Sequence, residues 1–339
     1  MQKKTSLATY LIAAIFGILS GGCIHTYPHG EGEDPSRLKT VLSLNLDIDL
    51  SAMEKMIPRS EETSTYSNYH IIIELAQSSL RPMRYETYVV HNRTEQGNID
   101  LTLPFTLTAS IYDIRIWCDL ATQHDNQPLH YDASDFARIS RLHHSSEELA
   151  LRAEITMPLC AYTSSQLDLR QYKEEWNKTI TLPFTLSPPV GLVKIVATDT
   201  DTFIEHYPNV ITGSNYSASL SFTSPVAETF NLLTGEPNTY SSGIIFNSSL
   251  VMPTSEASTL LTVPVFTASS GENLTSDLII YNSAQGIVAR TRGLEIPVRR
   301  NRTTIVSGDF LSNFFESPLH VEYEWEGEVI IDLTESPDK

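Results

Sequence analysis

The sequence predicts an all-β chain folded as two tandem sandwiches, and three observations lead there. Apolar and polar residues alternate with a period of two in one segment after another. Pro, Gly, Asn and Ser punctuate those segments at short intervals, as turns between strands do. Helical signals are scarce: Ser51 to Glu54 and Ser145 to Glu148 carry the Ser-x-x-Glu spacing of a capping box, and each opens a short segment. With 339 residues, 41% of them apolar, the chain is long enough for two domains with cores of their own and too apolar for disorder.

Residues 1–22 read as a leader. Met1–Lys4 is a basic start, Leu7–Leu19 an apolar run, and Ser20, Gly21 and Gly22 lead into Cys23. The run is shorter than the roughly 20 residues that span a bilayer, and suits a signal segment. This leader resembles a bacterial lipoprotein signal, with Ser20 where such signals usually carry Leu. The resemblance implies cleavage before Cys23, a thioether-linked diacylglycerol on its sulfur and an amide-linked acyl chain of the palmitate type. More than one lipid chain suffices for stable membrane attachment. Residues 23–37 then form a polar tether containing Pro28, Gly30, Gly32 and Pro35, which would hold the folded part away from the bilayer.

The first domain is expected over residues 38–188. Leu42, Leu44, Leu46, Ile48 and Leu50 alternate with Ser43, Asn45, Asp47 and Asp49, a strand with one face buried. Further strands are expected at His70–Ala76, Tyr85–His91, Ile99–Leu107, Tyr112–Leu120, Ala153–Pro158 and Lys178–Leu186. In the Tyr112 strand, Ile114, Ile116 and Cys118 share a face with Tyr112, and Arg115, Trp117 and Asp119 lie opposite. The hexapeptide Thr-Leu-Pro-Phe-Thr-Leu occurs at Thr102–Leu107 and again at Thr181–Leu186. Pro104 and Pro183 cannot donate to a ladder, so each belongs at a sheet edge or a bulge.

Ser187-Pro-Pro-Val190 marks the boundary, and the second domain is expected over residues 189–335. Its strands fall at Leu192–Ala197, Ser217–Thr223, Gly243–Val251, Thr259–Phe266, Asp277–Asn282, Ile287–Arg292, Leu294–Arg299, Thr303–Ser307, Leu319–Glu326 and Glu328–Leu333. Near the end Val321, Tyr323 and Trp325 face one way and Glu322, Glu324 and Glu326 the other, as in a last strand that buries its aromatics.

Charge and motif content narrow the function. There are 41 Asp and Glu against 23 Lys and Arg, a formal charge of −18, and loss of Lys3 and Lys4 with the leader makes the chain more acidic still. Such a chain repels nucleic acid. No nucleophile elbow, His-Glu-x-x-His or phosphate loop occurs, so no catalytic residue is assigned and the protein is expected not to be an enzyme. No metal or other cofactor is expected. His25 with His29 and the pair His143-His144 read as solvated segments, and Asp199-x-Asp201 with Glu205 as a turn rather than a calcium loop. Cys118 and Cys160 could pair in an exported protein or stay as buried thiols.

Several stretches, in order along the chain, resemble the fimbrillin-like lipoproteins of Bacteroidales-type bacteria, the family that includes fimbrium-anchoring (FimB-type) minor subunits. They are Ile24–Pro28, the strand Leu42–Leu50, Tyr112–Asp119, His130–Asp132 with Ser134–Phe136, Lys194–Phe203 and Gly293–Leu311. The resemblance implies transthyretin-like sandwiches and a lipid-anchored accessory or anchor subunit on the cell outer membrane. It would be surface-exposed or part of a fimbrium, and would join other fimbrial subunits by strand addition or mediate adhesion. The alternative is a surface glycan-binding lipoprotein of a nutrient-uptake system. Cys23, as the lipid attachment residue, is the one functional residue assigned.

Overall fold

The computed structural model describes residues 37–47, 67–77, 81–90, 98–122, 124–142, 160–173, 175–206, 215–251, 258–282, 284, 286–312, 314–315 and 329–332. Cys23, the tether, both Ser-x-x-Glu segments, the Ala153–Pro158 and Leu319–Glu326 strands and the pair His143-His144 lie outside them.

The N-terminal sandwich has two sheets. In one, β1 (Arg37–Leu46) lies between β4 (Ile99–Leu107) and β9 (Trp176–Leu186). The strand begins earlier than read from the sequence, and the alternation holds where the two overlap: Leu38, Leu42 and Leu44 are fully buried on one face, while Ile48 and Leu50 lie outside the described residues. Both copies of the hexapeptide flank this single strand, the first running antiparallel to β1 and the second parallel. Pro104 and Pro183 thus sit on the two outer strands, and the register of β1 against β4 shifts next to Pro104. The other sheet runs β3 (Met83–Val90), β2 (Ser67–Ala76), β5 (Ile111–Thr122) and β8 (Ala161–Asp168). Tyr112, Ile114, Ile116 and Cys118 of β5 point between the sheets, with Ile71, Ile73 and the leucines of β1 and β4.

The C-terminal sandwich is built the same way. Its larger sheet runs β20 (Val329–Asp332), β18 (Thr303–Gly308), β10 (Val190–Ala197), β15 (Ser258–Phe266), β12 (Val226–Asn231), β7 (Ile139–Arg141) and β6 (Tyr131–Asp132), with β13 (Glu236–Ser241) also on β12. Opposite it lie β14 (Ile245–Val251), β11 (Asn215–Phe222), β16 (Glu272–Tyr281), β17 (Ile287–Val298) and the short β19 (Phe314–Phe315). Val193, Ile195, Leu220, Phe222, Leu278, Ile280 and Val306 pack between the sheets. The segments expected as separate strands at Ile287 and Leu294 are one strand, β17, which passes through Gly293 at φ +67°. A left-handed residue in a strand is a bulge, and the register against β16 shifts beside it.

One further expectation is corrected, and one open alternative is decided. Asp201 and Glu205, read as part of a turn, belong to a helix, α1 (Thr200–His206), and Asp199 stands just before it. No disulfide forms: Cys118 and Cys160 are both free and buried, the first between the sheets of the N-terminal sandwich and the second on the far side of β5. Burial pushes both thiols up, which leaves them unreactive.

The sandwiches interlock. The β6–β7 hairpin precedes residue 188 in the chain, yet it hydrogen-bonds to β12 of the C-terminal sheet. It covers the outer face of β5 and β2 and creates a third core from Ile72, Trp117, Tyr131, Phe136, Ile139, Cys160, Phe230 and Phe266. Trp117 meets Tyr131 edge-on at 5.6 Å, Tyr131 meets Phe266 at 5.7 Å, and Phe266 stacks on Phe230 at 5.8 Å. Gly191 at the start of β10 fits a tight crossing: a Cβ there would stand 2.4 Å from the Arg299 carbonyl oxygen.

Candidate functional site

A polar cleft of about 610 Å3 opens where the two sandwiches meet. Three segments form it. The ends of β1 and β9 bring Asp47, Thr185 and Ser187; β8 brings Tyr162, Thr163 and Ser164; the turn between β17 and β18 brings Arg300, Asn301 and Arg302.

The walls are fixed by hydrogen bonds. Tyr162 and Ser187 exchange both backbone bonds at 3.0 Å, which ties the outer strands of the two N-terminal sheets together. Arg300 donates to the Thr267 carbonyl at 2.7 Å, to the Tyr162 hydroxyl at 3.0 Å and to Glu236 at 2.8 Å, and its guanidinium lies over the Phe230 ring. Burial opposes ionisation of Glu236, but bonds from Ser269 and Arg300 outweigh it and hold the carboxyl below its usual range. Asn301 adopts φ +53°, a conformation that Asn tolerates in tight turns, and its amide donates to the Asp47 carbonyl at 3.0 Å. Arg300 and Asn301 are therefore spent on structure. Arg302 and the Asp47 carboxylate have no protein partner among the described residues.

A second cluster lies on the outer face of the β3–β2–β5 sheet. His70 of β2 pairs directly across the ladders with Tyr88 of β3 and Asp119 of β5. Its Nδ1 lies 2.8 Å from Asp119 and its Nε2 2.8 Å from Glu86, while the Tyr88 ring stacks on the imidazole at 4.9 Å and the Tyr88 hydroxyl donates to Glu86. Burial alone would push His70 down, but the two carboxylates outweigh it and raise its pKa above the ordinary 6.5. Burial raises Asp119, offset only in part by His70; Glu86, half exposed, is lowered by its bonds to Tyr88 and His70 despite some burial. The cluster joins three strands side by side, and it reads as an ionic clasp across them.

The sign of its pH dependence follows from these directions. A raised His contributes stability that is full below its unfolded pKa of about 6.5 and is lost as pH rises through the folded value. The raised Asp119 works in the same sense at lower pH, and the lowered Glu86 adds stability that is lost only on strong acidification. Urea midpoints are expected to fall between about pH 5.5 and about pH 8.5, and His70→Gln is expected to flatten that slope. An unchanged slope in the variant would remove His70 as its source.

Most sites considered in the sequence find structural roles. Asp199, a possible calcium ligand, accepts from the backbone N–H of Leu311 and of Ser312. Trp117 is core. Among the described residues no group of three or more His, Cys, Asp or Glu could hold a metal ion, and no helix is long and apolar enough to cross a membrane. The cleft itself was not anticipated. Its residues stand at strand ends scattered over more than 250 positions, from Asp47 to Arg302, and no local motif marks them.

Comparison with solved structures finds similarity to the fimbrial anchor protein Mfa2 from Porphyromonas gingivalis, at 10% identity over 75% of this chain and 82% of that one, TM-score 0.36. A candidate cell adhesion protein from Bacteroides eggerthii matches at 10% identity over 89% and 100%, TM-score 0.38. A candidate polysaccharide-binding protein from Bacteroides thetaiotaomicron matches at 8% identity over 75% and 79%, TM-score 0.37. No curated protein matches. A family model does match, over residues 35–336, and so takes in both sandwiches: the chain belongs to DUF6562, a family of unknown function.

Proposed function

We propose that the protein is a non-enzymatic cell-envelope protein, held on the outer membrane by lipid on Cys23, that serves as a fimbrial accessory or anchor subunit and acts by strand addition or adhesion. The observation that carries this reading is the condition of one sheet edge. Sheets in water protect their edges with Lys, Pro, bulges or closure. β4 and β9 carry Pro104 and Pro183, and β8 is bridged to Ser187 at Tyr162 and ends on the ion pair of Asp168 with Arg170. β14 has none of these. It runs seven residues in unbroken register with β11, contains no charge and no proline, has no partner on its outer side among the described residues, and leaves Ile245 56% exposed. Such an edge can accept a strand from another chain, with main-chain hydrogen bonds supplying affinity.

The test uses a tagged copy in its native host, with membrane extracts run unheated and boiled in detergent. A heat-sensitive ladder of high-mass species is expected. Adding edge guards through Ile245→Lys with Asn247→Lys should abolish the ladder while leaving the monomer folded, since both positions are exposed. A single monomer band in every sample contradicts strand-added assembly.

A further inference from the structure

We propose that the cleft between the sandwiches is a carbohydrate site that takes the end of an acidic glycan, a pyranose carrying one carboxylate. Its volume of about 610 Å3 lies within the roughly 300–1,000 Å3 of small-molecule sites.

The ligand class follows from which groups are still free. The side-chain hydroxyls of Thr163, Ser164, Thr185 and Ser187 have no protein partner among the described residues, and each can both donate and accept. The hydroxyls of Ser164, Thr185 and Ser187 complement a polyol, Thr163 lying on the opposite face of β8 from Ser164. Arg302 adds a guanidinium with no carboxylate paired to it among the described residues, in a chain whose formal charge is −18. That group selects an anion, and a planar carboxylate suits its fork. Asp47 shares the cleft. Its carboxylate can accept from neighbouring sugar hydroxyls, and it repels a second negative charge. One cation and one anion together favour a singly charged polyol over a polyphosphate or a nucleic acid. The Tyr162 ring and Pro188 provide the small apolar surface on which the C–H face of a sugar rests.

The site is also rigid before any ligand arrives. Arg300 fixes the Tyr162 hydroxyl, Asn301 fixes the end of β1 through the Asp47 carbonyl, and the Tyr162–Ser187 pair fixes the floor. Preorganised groups lose less freedom on binding. This inference gives the adhesion reading a ligand, and it depends on neither the lipid nor strand addition.

The experiment titrates the full-length, detergent-solubilised protein by ligand-observed NMR and calorimetry. The probes are methyl galacturonoside and sialyllactose, with methyl galactoside and lactose as neutral partners and inorganic phosphate as a bare anion. At least one acidic probe is expected to bind about tenfold or more tighter than its neutral partner. Which of the two binds separates a uronate from a sialate source. Arg302→Gln should remove that preference, Asp47→Asn should weaken acidic and neutral sugars alike, and both exposed substitutions should leave the melting temperature unchanged. Absence of binding by either acidic probe at about 10 mM overturns the proposal. So does binding that Arg302→Gln leaves intact, or displacement of the sugar by phosphate at equal concentration. Sugar binding without the detergent-stable ladder would separate this site from the assembly reading, and the ladder without sugar binding would do the reverse.

Discussion

Replacing Trp117 by alanine is expected to cost about 3–5 kcal/mol and to separate the melting of the two sandwiches. The side chain is fully buried on the outer face of β5, where it supports the β6–β7 hairpin through Tyr131. That hairpin is hydrogen-bonded to β12, so Trp117 stands under a stretch of main chain that belongs to the N-terminal segment by sequence and to the C-terminal sheet by pairing. The aromatic series continues through Phe266 and Phe230 to Tyr162, which lines the cleft. Loss of the indole leaves a cavity that rigid strands on both sides cannot close. Urea unfolding followed by fluorescence and by circular dichroism should give coincident curves for the native chain and two resolved steps for Trp117→Ala. Trp117→Phe, which retains a ring against Tyr131, should lose less and stay cooperative. One unshifted, cooperative transition in the alanine variant would contradict a shared core.

The second large effect is expected at Asp199. Its carboxylate, 5% exposed, accepts from the Leu311 and Ser312 N–H groups and from the Ser312 hydroxyl. At the same residue the backbone carbonyl accepts from Phe203 and so begins α1. One residue thus starts the helix after β10 and holds the loop after β18, whose Phe310 and Leu311 are buried in the C-terminal core. Asp199→Ala would leave buried donors without an acceptor, at a cost of about 3 kcal/mol. Asp199→Asn keeps one acceptor oxygen and should cost about half as much. Amide exchange at Leu311 and Ser312 is the sharp readout: strong acceleration there in the alanine variant is expected, and retained protection would assign the loop's stability to packing alone.

The strands with one buried face were legible in the sequence because their periodicity is their environment. β1, β4, β10 and β15 alternate as read, and β4 runs over the residues expected. What was missed has other surroundings. β8 is an outer strand whose central residues Ser164, Ser165 and Gln166 are exposed, so it shows no alternation. β12 is covered on both faces and shows a near-continuous buried run. In β17 the glycine at 293 imitated a turn between two strands while making a bulge within one.

The functional residues divide on the same lines. The assignment proposed for Cys23 rests on a short local pattern, the residues directly before it, and Cys23 lies outside the described residues. The cleft has no local pattern, because Asp47, Ser164 and Arg302 become neighbours only after two sandwiches have folded and locked. Arg300 and Asn301 fall within the longest stretch of the family resemblance, but nothing in that stretch separates their structural role from the guanidinium at 302, which is unpaired among the described residues.

The central claim is that this β-sandwich body is carried on a membrane by lipid on Cys23. It is tested most directly by the mass of the N-terminal peptide from protein purified out of host membranes. The account predicts a chain that begins at Cys23 and bears a diacylglyceryl group and an amide-linked acyl chain, with Cys23→Ala recovered in the aqueous fraction. A chain that begins elsewhere, or a Cys23 that carries no lipid in protein still found at the membrane, would contradict it.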